Sequence, residues 1–168
     1  MITTQNDVVE QYLSIWKGNK GDYVLEAGVW LPRPREDVFA FFADAQNLQQ
    51  LTPNTVQFRI LTPLPLEMRT GARIDYALTM HGVPFKWKTE ITRWKAPAQF
   101  EDTQRKGPYR KWVHLHTFEE VRGGTMCRDR VCYRPPGGAL VNRLFVQSNV
   151  ETIFKYRADR MLELFGCA

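Results

Sequence analysis

Apolar and polar side chains alternate along most of this chain, and the rhythm changes only in three places. Over residues 22–31, Tyr23, Leu25, Ala27, Val29 and Leu31 share one side, the pattern of a half-buried strand. Pro32 and Pro34 stop it. Residues 35–45 then read as a helix with Val38, Phe41, Phe42 and Ala45 inward, and a second short helix is expected over 47–51. Six more alternating segments follow, at 56–60, 73–81, 85–94, 100–106, 109–121 and 125–134. Proline and glycine signals separate them, among them Gly82 with Pro84, Pro97, Gly107-Pro108 and Gly123-Gly124.

The longest helical rhythm covers 139–165, where Val150, Ile153, Phe154, Met161, Leu164 and Phe165 recur every three to four residues. At 1.5 Å per residue such a helix spans roughly 40 Å, and Gly166 is its natural stop. The opening residues 1–20 read as a helical extension. Val9, Tyr12, Leu13 and Trp16 keep helical spacing, Thr3 or Thr4 caps the start, and Gly18 and Gly21 end it. The main domain is then 21–168.

Consecutive strands joined by short turns predict an antiparallel meander, and with its helices an α+β fold. A sheet of about seven strands is much wider than the 10–12 Å of one helix. A sheet that curves around the C-terminal helix therefore leaves space between them, lined by the inward apolar face.

The composition suits that picture. A 168-residue chain with 43% apolar and 12% aromatic residues has enough material for one large core. The formal charge of +5 invites a search for a phosphate- or nucleic-acid-binding surface. The basic residues, such as Lys86, Lys88, Arg93 and Lys95, interleave with apolar ones instead of clustering. They read as a solvated sheet face, so no nucleic-acid partner is expected and any membrane contact is peripheral. Cys127, Cys132 and Cys167 form no Cys-x-x-Cys pair, and no apolar run reaches the ~18 residues of a membrane span. Reduced thiols and a cytoplasmic location are expected. No glycine-rich phosphate loop or nucleophile elbow is present, so no cofactor is implied.

Candidate chemistry comes from polar residues on the inward side of the strands. Over 109–119, Trp112 and Phe118 share a face with His114 and His116. That bulkier face is expected inward, since the other carries Lys111 and Glu119. The same alternation sets Asp102 and Gln104 beside Phe100, and Asp129 beside Val131 and Tyr133. Buried polar groups must satisfy one another, hold water or meet a ligand. Four readings stay open: a closed structural network such as His114 held by Asp129; ligand recognition by the imidazoles and Gln104; acid–base catalysis by a His–Asp pair; and a metal site of His114, His116 and Asp129. The last is the weakest, and no metal is assigned.

The segments Phe100-Glu101-Asp102-Thr103-Gln104, Gly107-Pro108-Tyr109 and Trp112 to Phe118, with Asp129-Arg130-Val131-Cys132-Tyr133 and the proline-then-helix at Pro34, carry a resemblance. From about Tyr23 to Phe165 the chain resembles the START-like (SRPBCC) superfamily of polyketide cyclases/dehydrases and lipid-transport proteins, and within it an uncharacterised bacterial ligand-binding branch. The resemblance implies a helix-grip fold with a deep cavity. It also implies binding, and with it transport, of a hydrophobic small molecule such as a lipid, quinone or polyketide-like aromatic. On that reading Tyr76, Trp87, Trp112, Phe118 and Tyr133 form walls, and Gln104, His114 and His116 are polar anchors. The alternative is a cyclase- or dehydratase-type enzyme in which His114 or His116 acts as base and Asp129 or Asp102 orients it.

Overall fold

The computed structural model describes residues 11–80 and 82–166. The first half of the expected helical lead, with Thr3, Thr4 and Val9, lies outside the described residues, as do His81 and Cys167. Eight strands form one sheet: β1 (Gln11–Lys17), β2 (Tyr23–Leu31), β3 (Val56–Ile60), β4 (Arg73–Met80), β5 (Val83–Lys95), β6 (Gln99–Lys106), β7 (Lys111–Val121) and β8 (Gly124–Arg134). The helices are α1 (Arg35–Ala43), a 3-10 helix (Ala45–Leu51), α2 (Gly138–Val141), a π turn (Asn142–Val146) and α3 (Gln147–Phe165). No helix among the described residues is long and apolar enough to cross a membrane.

The sheet is antiparallel throughout, in the order β1-β2-β8-β7-β6-β5-β4-β3. Strands β3 to β8 form the expected meander. The two helices after β2 carry the chain across to the far edge, so β2 pairs with the last strand, β8. This is the helix-grip architecture, with one strand more than expected.

The extra strand corrects the reading of the N-terminal segment. Gln11–Lys17 is a strand, paired residue by residue with β2 from Gln11 opposite Val29 to Lys17 opposite Tyr23. Gly18 and Gly21 belong to the hairpin between them, where Lys20 and Gly21 both take positive φ. Leu13 and Ile15, two apart, pack on the core beneath. That period of two competed with the helical spacing of Tyr12, Leu13 and Trp16, and the unpaired edge of β2 decides for the strand. The ring of Tyr12 lies over Gly28, where an added Cβ would stand 2.3 Å from it.

The interior holds two apolar clusters. One gathers Val29, Leu31, Phe39, Phe100, Phe118 and Met161 beneath α1, with Phe39 meeting Trp94, Phe100 and Phe118 edge to face. Phe39 was not among the α1 residues expected inward, yet it is buried with Val38 while Phe41 and Phe42 are half-buried. The other cluster gathers Leu25, Ala27, Val131, Tyr133, Val150 and Phe154. On the outer side, Lys86, Lys88, Arg93 and Lys95 are exposed, and ion pairs such as Lys88–Asp75 and Arg130–Glu26 stitch neighbouring strands.

At the end of β2 nearest the β1 hairpin, Asp22 accepts hydrogen bonds from Lys111 Nζ and Arg134 Nε, each at 2.8 Å. Burial alone would push its carboxyl up, but the two cationic partners outweigh that and hold it below the ordinary carboxylate range. A carboxyl depressed on folding adds stability above its unfolded value of about 3.9, lost as pH falls through the folded value. Urea midpoints of the wild type and Asp22→Asn should differ by a constant amount above about pH 5 and converge below about pH 4. A gap independent of pH would refute the role of the charge. Gly28→Val should displace Tyr12, cost roughly 1–3 kcal/mol, and reduce hydrogen-exchange protection over Gln11–Lys17 first; unchanged protection there would contradict the pairing.

Candidate functional site

Three strands and one helix bring five polar side chains together between the apolar clusters. Strand β7 supplies His114 and His116, two residues apart and therefore on one face, with ring centroids 3.7 Å apart. Asp102 of β6 lies opposite His114 in the register, and Asp129 of β8 lies opposite His116. Arg157 arrives from α3. On β8 the order runs Cys127, Asp129, Val131, so the carboxylate falls between a residue of each cluster. On α3, Arg157 falls likewise between Phe154 and Met161.

Carboxylates hold both histidines, His116 through both ring nitrogens and His114 through one. His114 Nε2 lies 2.8 Å from Asp129 Oδ1, and His116 Nδ1 lies 2.9 Å from the same oxygen. His116 Nε2 lies 2.9 Å from Asp102 Oδ2, whereas His114 Nδ1 stands 3.7 Å from it, beyond hydrogen-bond range. Arg157 Nε donates to Asp129 Oδ2 at 3.0 Å, and its guanidinium carbon sits 4.9 Å over the Phe42 ring. Thr89 Oγ1 donates to Asp102 Oδ1 at 3.3 Å, and Phe100 stacks on His116 at 4.1 Å between centroids. All five members are largely buried; the histidines and Arg157 keep less than a tenth of their side-chain surface exposed.

Low solvent access separates the protonation states. Burial and the neighbouring charge of His116 push His114 down, only partly offset by Asp129, so His114 is neutral. Burial also disfavours charge on His116, but its hydrogen bonds to Asp102 and Asp129 outweigh this and raise it. Burial opposes both carboxylates as well. Arg157 and the two imidazoles nevertheless hold Asp129 well below the usual range, and His116, with His114 and Thr89, holds Asp102 below it. Two carboxylates thus face the guanidinium of Arg157 and an imidazole, His116, whose protonated form they favour.

Beside this cluster lies a cavity of about 200 Å³. Asp102, His114, His116 and Arg157 line it, and Asp129 stands behind the imidazoles. Most of the remaining wall is apolar or aromatic, including Tyr76, Leu78, Trp87, Trp112, Ile153 and Phe154, with Asp44, Asn47, Thr52 and Thr89 adding polar groups. Trp87 is stacked on Tyr76 and meets Trp112 edge to face. Its buried indole N–H has no acceptor among the described residues. The Tyr76 phenol is pushed far up by burial and by Asp102, so it stays neutral.

Of the residues expected at the site, Tyr76, Trp87, Trp112, His114 and His116 line the cavity together with Asp102. Three do not. Gln104 spends its amide on the β6–β7 turn, donating to the Tyr109 carbonyl at 2.7 Å and accepting from the Tyr109 N–H at 3.4 Å. Phe118 is packed within the cluster beneath α1, and Tyr133 is fully buried in the other. Arg157 was missed, although its position on the inward stripe of α3 between Phe154 and Met161 was visible as a charged residue at an apolar slot.

A family model described as polyketide cyclase / dehydrase and lipid transport matches residues 31–156. No curated protein matches the chain in sequence. Solved structures share the fold at low identity. Protein CV1439 from Chromobacterium violaceum superimposes with a TM-score of 0.69 at 12% identity, covering 86% of this chain and 98% of that one. Protein Ms6760 from Mycobacterium smegmatis gives 0.63 at 18%, covering 84% and 89%. Major latex-like protein 151 from Panax ginseng gives 0.64 at 8%, covering 86% and 98%.

Arg157→Met leaves Asp129 buried without its guanidinium and should destabilise the protein by about 3–5 kcal/mol. Adding Asp129→Asn should restore a substantial part of that loss. Urea unfolding at pH 7 measures both; a loss below about 1 kcal/mol for the single variant would mean that the charge is not desolvated.

Proposed function

From the premise that the chain belongs to the polyketide cyclase/dehydrase and lipid-transport family, we propose that it binds a compact, largely apolar small molecule carrying at least one oxygen acceptor in the cavity between sheet and α3. The observation that carries this reading is a largely aromatic and apolar wall carrying a few polar groups, among them Trp87, whose buried indole N–H has no acceptor among the described residues. A buried donor left unpaired costs about 1–3 kcal/mol, which a guest's carbonyl or hydroxyl oxygen recovers. Aromatic walls and a few convergent polar groups are the usual make-up of a small-molecule site.

Size narrows the guest. An apolar cavity of about 150 Å³ accommodates benzene, so about 200 Å³ suits one or two rings. That favours a quinone or polyketide-like aromatic over a two-chain lipid. The Tyr76, Trp87 and Trp112 rings offer flat faces to such a guest.

One observation favours a cyclase- or dehydratase-type alternative in the same cavity. His114 is oriented by Asp129 through Nε2 and turns an unpaired Nδ1 away from it, the arrangement of an imidazole that moves protons. His114→Ala would then abolish turnover while leaving affinity within about tenfold; equal loss of both favours binding alone.

The binding reading is tested with 2-naphthol and naphthalene, followed by intrinsic tryptophan fluorescence and native mass spectrometry. Naphthol should bind one per chain and more tightly than naphthalene. Trp87→Phe should weaken naphthol by roughly tenfold, toward naphthalene, and Leu78→Trp should abolish both by filling the space. Failure of 2-naphthol to bind below about 1 mM, or binding of naphthalene as tight as that of naphthol, would remove the proposal.

A further inference from the structure

We propose that Asp102, His114 and His116 form a three-ligand site for a divalent transition-metal ion, oriented from behind by Asp129 and Arg157. Each imidazole turns one ring nitrogen to Asp129 Oδ1, Nε2 of His114 at 2.8 Å and Nδ1 of His116 at 2.9 Å, the latter also 3.3 Å from Arg157 Nη2. Asp129 is fixed in turn by Arg157 Nε at 3.0 Å from its other oxygen. The remaining nitrogens, His114 Nδ1 and His116 Nε2, are the ones that approach Asp102 Oδ2, at 3.7 and 2.9 Å.

Metal-binding imidazoles nearly always donate their second N–H to a carboxylate or carbonyl, which sets the tautomer and the ring orientation. Here Asp129 does this for His114, and Asp129 and Arg157 together flank the Nδ1 side of the His116 ring. Ligand bonds of about 2.0–2.1 Å place neighbouring donor atoms about 2.8–3.4 Å apart in octahedral or tetrahedral geometry. The 2.9 Å separation falls in that range and the 3.7 Å one lies just outside it, and one ligand atom from each of the three residues lies within 4.8 Å of the other two.

The donor set selects the ion. Two imidazoles and one carboxylate, without thiolate, suit zinc, ferrous or cobaltous ions better than calcium or magnesium, which prefer oxygen alone. With both imidazoles neutral, the two carboxylates against one guanidinium leave a net negative charge for the cation to meet. All three ligands line the cavity, so the remaining coordination positions face it and are open to water or to an oxygen of a guest. Metal-ion chemistry on a cavity-bound guest, as a Lewis acid or through a bound hydroxide, is the activity class that such an open site permits.

Chelator-stripped protein titrated with cobalt(II) tests the site through calorimetry and the visible spectrum of the ion. One cobalt per chain is expected, with a Kd of about 1 µM or tighter and a spectrum of nitrogen and oxygen ligation. Asp102→Asn should abolish uptake, and Asp129→Asn should weaken it by about 10- to 100-fold while the spectrum persists. No stoichiometric uptake, or undiminished uptake in Asp102→Asn, overturns the proposal. The wild type alone gives a second reading that needs no variant to fold: bound cobalt should broaden the imidazole NMR signals of His114 and His116, and sharp signals with cobalt bound overturn the site. The inference does not rest on the identity of the guest. Naphthol binding without cobalt uptake removes the metal alone, and cobalt uptake without naphthol binding removes the guest reading alone.

Discussion

Arg157 and Asp129 join the C-terminal helix to the middle of the sheet through a charge pair that is almost fully out of water. A guanidinium at an inward slot of α3 fixes both the rotation and the axial position of the helix, because every other setting strands a charge in an apolar interior. Buried pairs of this kind seldom stabilise more than well-packed apolar residues of the same volume. Its contribution is therefore better sought in what it positions. Asp129 holds two imidazoles through one oxygen, and Arg157 lets that carboxylate remain ionised while it does so.

The same pair accounts for how the interior is divided. The polar cluster lies as a layer across the domain, with Phe39, Phe100, Phe118 and Met161 packed on one side and Val131, Tyr133, Val150 and Phe154 on the other. Dense packing in these two clusters carries the hydrophobic stabilisation. The cavity is left between the inward faces of β3 to β7, the helices that follow β2, and the Ile153–Arg157 stretch of α3. Space there costs contacts, and the fold tolerates it because its core lies elsewhere.

Much of this arrangement was legible in the sequence, and the exceptions have physical causes. Alternation assigns a side chain to a face of the sheet, so His114, His116, Asp102 and Asp129 were all placed inward correctly. It says nothing about position along the strand relative to the helix. Phe118 and Tyr133 share the inward face of the cavity walls, but they lie where α1 and α3 press on the sheet, and they became core. Gln104 lies near a turn whose open backbone groups claim its amide before any guest does. The strand Gln11–Lys17 was read as a helix because an edge strand is chosen by its partner, and the β2 edge is not visible in local spacing. Arg157 is invisible to apolar periodicity, because a charged residue at a core slot is a gap in the stripe formed by Phe154 and Met161.

Trp87 and the imidazole–carboxylate cluster bring two kinds of polar group to the wall of one small cavity. The indole carries an uncharged donor that meets no acceptor among the described residues, whereas the cluster sets two imidazoles against two carboxylates and a guanidinium. A buried donor without a partner costs free energy that an apolar neighbour cannot return. The cluster, by contrast, satisfies most of its own polar atoms and leaves His114 Nδ1 outside hydrogen-bond range of Asp102. In a low-dielectric interior that difference is felt strongly, because an unmet donor and a closed charge network respond differently to the same nearby dipole.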